Sequence, residues 1–255
     1  MNDRDYDSQP GIRRSDLWKI NQSPLHFRYA IENPEEPTPA LIFGQAAHKY
    51  ILEPETFFDE FAVMPGIDRR TKAGKASYEH FRELSGSRTV ITEEDLQILM
   101  TMRAALLQNP DAKEILNGDI HTETAFFWTD PETGVPCKVK ADIITEICGR
   151  HVIVDYKTTG SCEDFAFERS CRKYGYDFQA GMYTEGIDLA TLEEHDFVFI
   201  AQEKTPPYAS RVYYCDPSFV EHGKHIFHDL LRTYHECKVN NVWPGYMSTD
   251  LYAED

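Results

Sequence analysis

The chain has no Cys-x-x-Cys pair and no close group of cysteines: its six, at 137, 148, 162, 171, 215 and 237, are scattered. That spacing argues against a zinc ribbon and fits reduced thiols in a cytoplasmic protein. No apolar run approaches the roughly eighteen residues a membrane span requires. The start also lacks the basic-then-apolar pattern of a secretory leader, so neither membrane insertion nor secretion is expected. Internal repeats, low-complexity tracts and long Gly/Ser linkers are missing too. A chain of 255 residues with 41% hydrophobic and 13% aromatic content can bury one substantial core. One domain over 11–255 is expected, behind a polar, loose N-terminus at 1–10. Positive charge is scarce: 26 Lys and Arg stand against 43 Asp and Glu, a formal net charge of −17. A surface of that sign argues against tight nonspecific gripping of a polyanion.

Within the apolar, β-branched stretch from Ala141 to Lys157, Asp142 precedes the triplet Asp155-Tyr156-Lys157 by thirteen residues. Both acids fall on runs that read as neighbouring strands, where charges are rarely left unless paired or metal-bound. Side chains two apart on a strand share a face, which puts Lys157 beside Asp155. Two carboxylates suit a divalent ion that keeps water and a phosphate in its shell. A partly desolvated lysine next to it can orient or deprotonate water. This is the layout of a metal-dependent phosphodiester-cleaving site, although the bare triplet by itself reads more readily as a structural ion pair.

Other residues join it. Gly44 and His48 lie one turn apart on a mostly buried helix at 39–53, so the glycine is expected to admit another backbone while the imidazole points into the same space. Gln179 and Tyr183 share a face of a second helix. Basic residues cluster at Arg69, Arg70, Lys72 and Lys75, at Lys138 and Lys140, and at Arg169, Arg172 and Lys173. Each cluster alone reads as a solvated face; together they permit a local basic channel on an acidic body.

Taken in order, Gly-x-x-x-His, Asp, Asp-x-Lys and Gln-x-x-x-Tyr resemble the RecB-type branch of the PD-(D/E)XK nuclease superfamily, and more closely the exonuclease VIII (RecE) family. Ser23-Pro24-Leu25-His26-Phe27-Arg28-Tyr29, Leu52-Glu53-Pro54-Glu55-Thr56-Phe57 and Asp68-Arg69-Arg70-Thr71-Lys72-Ala73-Gly74-Lys75 are similar to that family as well, over about residues 10–245. Ala141 stands where the superfamily's signature has proline. The resemblance implies His48, Asp142, Asp155 and the Tyr156 backbone carbonyl as ligands of Mg²⁺ or Mn²⁺, and Lys157 as the catalytic lysine. It implies Gln179 and Tyr183 as supports of the site or of DNA phosphates, and Glu123 as an acid beside the metal or a ligand of a second one. The scattered cysteines argue against the iron–sulfur cluster some relatives carry. By resemblance the activity is 5′ to 3′ digestion of linear double-stranded DNA by a ring-shaped homo-oligomer, trimer or tetramer, with a single-strand annealing recombinase as partner. An endonuclease, a single-strand nuclease or a non-cleaving DNA-binding module on the same fold are the alternatives.

The expected fold is α/β: a mixed central sheet flanked by helices, with a helical part at 11–118, a sheet core at 119–215 and a C-terminal helix within 216–240. Helices are expected near 14–20, 39–53, 73–84, 92–108, 162–173, 176–188 and 217–238. Strands are expected near 121–129, 136–147, 150–158, 195–203 and 210–215, with turns at Asp130–Gly134 and Cys148–Gly149. The site is expected where two adjacent strands diverge.

Overall fold

A computed structural model describes residues 3–68 and 70–246. The front part holds α1 (Asp3–Ser8), β1 (Ile12–Arg13), α2 (Arg14–Leu17), α3 (Pro24–Glu32), α4 (Pro39–Leu52), α5 (Phe57–Glu60), β2 (Phe61–Met64), α6 (Lys72–Ser85), β3 (Thr89–Thr92), α7 (Glu93–Leu106) and α8 (Pro110–Asn117). Then come the strands β4 (Ile120–Thr129), β5 (Pro136–Ile147) and β6 (Arg150–Thr159), and the helices α9 (Asp164–Tyr174) and α10 (Tyr176–Thr191). The strands β7 (His195–Glu203) and β8 (Ser210–Tyr214) lead into α11 (Pro217–Asn240).

Local chemistry sets several of these starts. Ser23, Thr38 and Asn109 each precede a proline and accept backbone N–H groups of the first turn of α3, α4 and α8. Thr92 and Asp95 form a reciprocal capping box on α7. The strands β2 and β3, four residues each, pair in parallel as a small separate sheet; such short runs are hard to tell from helix edges by periodicity.

The main sheet is mixed. Antiparallel β4–β5 and β5–β6 pairs continue through a parallel β6–β7 pair to antiparallel β8. Its residues alternate between two cores. Ile153, Phe197 and Phe199 meet Phe167, Phe178 and Phe227 of α9, α10 and α11. Val152, Val154, Tyr156 and Val198 meet Ala47, Ile51, Leu99 and Ile115 of α4, α7 and α8. This is the sandwich that a sheet buried on both faces requires, and each such side chain contributes about 1.5–3 kcal/mol by leaving water.

Register explains where polar groups enter this interior. The strand β6 pairs with β5 only up to Ile143 and Val154. Beyond that point β1 takes the vacated edge of β5, at Cys137 and Lys138. The two strands part at Asp142 and Asp155. Here too β5 changes which core it feeds, from Val139 and Ala141 on one face to Ile143 on the other.

The N-terminus corrects an expectation. Its polarity predicts a loose segment, yet residues 3–8 are helical and Tyr6 is 7% exposed. The cause is Lys138, buried at 3% exposure, whose Nζ donates to the carbonyls of Tyr6 (2.8 Å) and Gln9 (2.6 Å) and lies 4.7 Å from the Tyr6 ring centre. Lys138 therefore serves as a clamp and leaves the basic channel in which sequence patterning put it.

Candidate active site

The strand gap is closed from one side by α4 and from the other by α10. On the α4 side, His48 Nε2 is 2.7 Å from the Tyr156 carbonyl oxygen and 3.1 Å from Asp142 Oδ2. Asp142 Oδ2 also accepts the Tyr156 backbone N–H at 2.8 Å, so the carboxylate bridges the parted strands. Burial opposes charge on both groups, but each outweighs it for the other: His48 is raised to about 9 and Asp142 is held below the usual carboxylate range.

Glu123 lies across from the other imidazole nitrogen, Oε1 being 4.0 Å from His48 Nδ1, and its second oxygen is ion-paired to Lys140. Its backbone is left-handed, φ +50°, and the β4–β5 ladder skips it between Thr122 and Thr124. Such a backbone costs a non-glycine residue about 1–3 kcal/mol and persists where its surroundings hold it. Here the break aims a carboxylate at the imidazole.

On the α10 side, Asp155 is 2% exposed. Gln179 Nε2 donates to its Oδ1. Lys157 Nζ lies 2.5 Å from its Oδ2, close as an ion pair but outside hydrogen-bond alignment, so Oδ2 is buried without a hydrogen-bond partner. Burial and the Asp142 carboxylate push Asp155 up to about 6, Lys157 and His48 pulling the other way. The ammonium of Lys157 sits 5.2 Å from the Tyr176 ring centre. The helix α10 is held in place by close approach to α11: a Cβ on Gly181 would lie 2.2 Å from the Gly223 backbone. Burial raises the Tyr183 phenol well above its ordinary value, the fields of Asp155 and Asp142 adding to it.

A cation fits this donor set. His48 Nε2 lies within hydrogen-bond distance of both Asp142 Oδ2 and the Tyr156 carbonyl oxygen, so a cation replacing the imidazole proton would meet oxygen donors from both strands, and Asp155 adds a buried carboxylate oxygen that no hydrogen bond holds, beside Lys157. His48, Glu123 and Asp142 also have ligand atoms within 4.8 Å of one another.

The site opens into a cleft of about 810 Å³ lined by Gly44, Gln45, His48, Glu53, Glu123 and Lys140 among others. Gly44 differs from expectation: a Cβ there meets nothing within 4 Å, so the glycine leaves room in the cleft instead of admitting a backbone. Of the basic residues at 69–75, Arg69 lies outside the described residues. Arg70 is exposed and doubly bonded to Asp68 (2.9 and 3.1 Å), and Lys72 and Lys75 are exposed at the start of α6. No hydrogen bond or ion pair joins these three to the central cluster among the described residues.

Sequence reasoning passes over Arg14. Its Nη2 donates to the carbonyls of Tyr174 and Gly175, the latter at 2.8 Å, and its guanidinium lies 5.7 Å from the Trp18 and 5.6 Å from the Phe178 ring centres. It pins the junction from which α10 brings Gln179 to Asp155. One arginine of the Arg13-Arg14 pair carries no sequence signal for that.

Fold and site together define a class: the mixed sheet with an Asp and an Asp-x-Lys at its parting strands is the core of the PD-(D/E)XK nuclease superfamily. Residues 15–251 match the family described as "PDDEXK-like domain of unknown function (DUF3799)", and the chain belongs to that family. No curated protein matches the sequence. Among solved structures, the chain is similar to the one from Eubacterium rectale named "Putative exonuclease", at 15% identity and a TM-score of 0.61, covering 97% of this chain and 96% of that one. The structure of SSO0001, also 15% identical, covers 96% and 93% at a TM-score of 0.37, too low to bear on the fold. No helix among the described residues is long and apolar enough to cross a membrane.

Proposed function

We propose that the chain is a Mg²⁺- or Mn²⁺-dependent exonuclease of linear double-stranded DNA, working 5′ to 3′ and leaving single strands for recombination. The observation that carries this is His48 Nε2 lying against both Asp142 Oδ2 and the Tyr156 carbonyl oxygen, with Lys157 against the buried Asp155 on the neighbouring strand. The likeness to a structure named an exonuclease and the resemblance to the RecE family support the end-dependent reading.

In this reading His48, Asp142, Asp155 and the Tyr156 carbonyl hold the cation. When bound, it polarises a phosphoryl oxygen and makes a neighbouring water more acidic. Lys157 Nζ, held beside Asp155, orients that water for attack. Gln179, by donating to Asp155 Oδ1, keeps the other carboxylate oxygen facing Lys157. Glu123, facing His48 Nδ1 across 4.0 Å, stands where carboxylates back metal-binding histidines. Tyr183 and Lys140 bear on the phosphate path, and Arg70, Lys72 and Lys75 offer charge to the duplex further out. A ring of three or four copies in the cytoplasm, working with a single-strand annealing recombinase, completes the proposal.

The test is degradation of duplex labelled at the 5′ or the 3′ end, with Mg²⁺, Mn²⁺ or EDTA, for the unaltered chain and Lys157→Ala, with a covalently closed circle alongside. Metal-dependent release from the 5′ label, absent on the circle and in the variant, is expected. Cutting of the circle makes the protein an endonuclease. Intact DNA under all conditions, with cation binding retained, makes it a binding module.

A further inference from the structure

A second group of ligating side chains lies at the junction of the β4–β5 turn with α10 and α11. Asp130 begins the turn and is 1% exposed. Its Oδ2 accepts from Thr133 N (2.7 Å) and Thr133 Oγ1 (2.6 Å), which fixes the carboxylate. Its Oδ1 is buried with no hydrogen-bond partner among the described residues. An ionised carboxylate oxygen left dry and unpaired is strongly disfavoured and points to a missing water or ion.

Facing it are Glu185 of α10 and His228 of α11, with His228 Nε2 3.0 Å from Glu185 Oε2. Each of the three residues offers one ligand atom, all within 4.8 Å of one another. The Trp128 indole nitrogen, on a ring packed against Gly186 and Phe227 of the same two helices, is a second buried polar atom without a partner here. The His228–Glu185 contact satisfies Glu185 and still leaves Asp130 Oδ1 without a partner among the described residues. A dication shared by all three neutralises both carboxylates and fills the gap.

We propose that Asp130, Glu185 and His228 form a structural site for a first-row divalent transition ion, Zn²⁺ foremost. Two carboxylate oxygens and one imidazole nitrogen suit Zn²⁺ or Mn²⁺ better than the all-oxygen preference of Mg²⁺ or Ca²⁺. Donors about 2.0–2.1 Å from a tetrahedral Zn²⁺ stand roughly 3.3 Å apart, and the His228–Glu185 separation of 3.0 Å is near that edge. One water completes the set. The ion ties the β4–β5 turn to α10 and α11, and so steadies the helix that carries Gln179. This site stands independently of the nuclease reading.

The experiment uses tag-free protein carrying His48→Ala and Asp142→Asn, so that the cleft's donors are removed. After chelation and dialysis, ZnCl₂ is titrated by calorimetry, bound zinc is counted by elemental analysis, and the thermal melt is followed. One equivalent of Zn²⁺ per chain and a Tm rise of about 4 °C or more are expected. Adding His228→Gln or Glu185→Gln abolishes both, while the metal-free melts stay cooperative. X-ray absorption at the zinc edge gives a readout on the background without these added substitutions, with one imidazole and otherwise oxygen ligands expected. No bound zinc, zinc unaffected by His228→Gln and Glu185→Gln, or sulfur in the shell overturns the site.

Discussion

The two sides of the strand gap shift the same residue type in opposite directions. On the α4 side, Asp142 meets an imidazole, a backbone N–H and the open cleft, and stays an anion, held below the usual carboxylate range. On the α10 side, Asp155 is buried against Gln179 and is pushed up to about 6. Lys157 lies 2.5 Å away and does not reverse the shift. Proximity of opposite charge is thus not enough in a dry site; the carboxylate with more partners wins the charge. A cation between the two strands removes the asymmetry, since it supplies to Asp155 what His48 supplies to Asp142.

The largest effect expected is on chemistry. Lys157→Ala and Asp155→Ala each lower cleavage of linear duplex by about 10³-fold or more. Far-UV circular dichroism stays that of the parent, so the loss is one of chemistry and not of fold. Residual cleavage within tenfold of the parent in either variant removes these residues from the mechanism.

The next effect separates ligands from their supports. His48→Ala weakens Mg²⁺ or Mn²⁺ binding the most, and Glu123→Gln, which removes the charge that faces the imidazole and pairs with Lys140, weakens it by about 10-fold. Calorimetry on both variants orders them. The reverse order makes Glu123 a ligand. Affinity of the parent rises with pH through about 6 and on towards 9, because a cation displaces protons from Asp155 and His48.

A third test isolates the buried carboxylate in the metal-free protein. Its folded pKa, about 6, lies above the ordinary 3.8, so the folded state binds this proton more tightly than the unfolded one. Stability from the group is full below pH about 4 and is lost as pH climbs to about 6. Asp155→Asn imitates the protonated form. At pH 8 it is expected to stabilise the chain by about 1–3 kcal/mol, and near pH 4 the two melts converge. A variant less stable than its parent at pH 8 shows that the Lys157 pair outweighs the burial.

Much of this arrangement was legible in the sequence because it is carried by period and spacing. The strands at 136–147 and 150–158, the helices at 39–53 and 176–188, and the placing of Asp142 and Asp155 on neighbouring strands follow from apolar alternation and a two-residue turn at Cys148-Gly149. What stayed hidden is set by contacts distant in sequence. The left-handed backbone of Glu123 is dictated by what surrounds it, not by its own preference. Lys138 reads as a surface lysine until the N-terminal carbonyls fold over it. Gly44 reads as a packing glycine, and only the cleft shows that it keeps space open. Short β2 and β3 carry too few residues for a period to register.

The smallest effect expected belongs to Tyr183. Its phenol is buried near both carboxylates, whose fields hold the proton on the oxygen. It therefore acts as a neutral group and not as an acid–base catalyst at neutral pH. Tyr183→Phe keeps the ring against Phe197, 6.3 Å between centres, and removes only the hydroxyl. Cleavage is expected to fall a few-fold, about what one neutral hydrogen bond contributes, with the pH profile unchanged. A loss comparable to that of Lys157→Ala, or a displaced alkaline limb, would make the phenol part of proton transfer and tie the α10 side to the chemistry more directly than the buried Asp155 does.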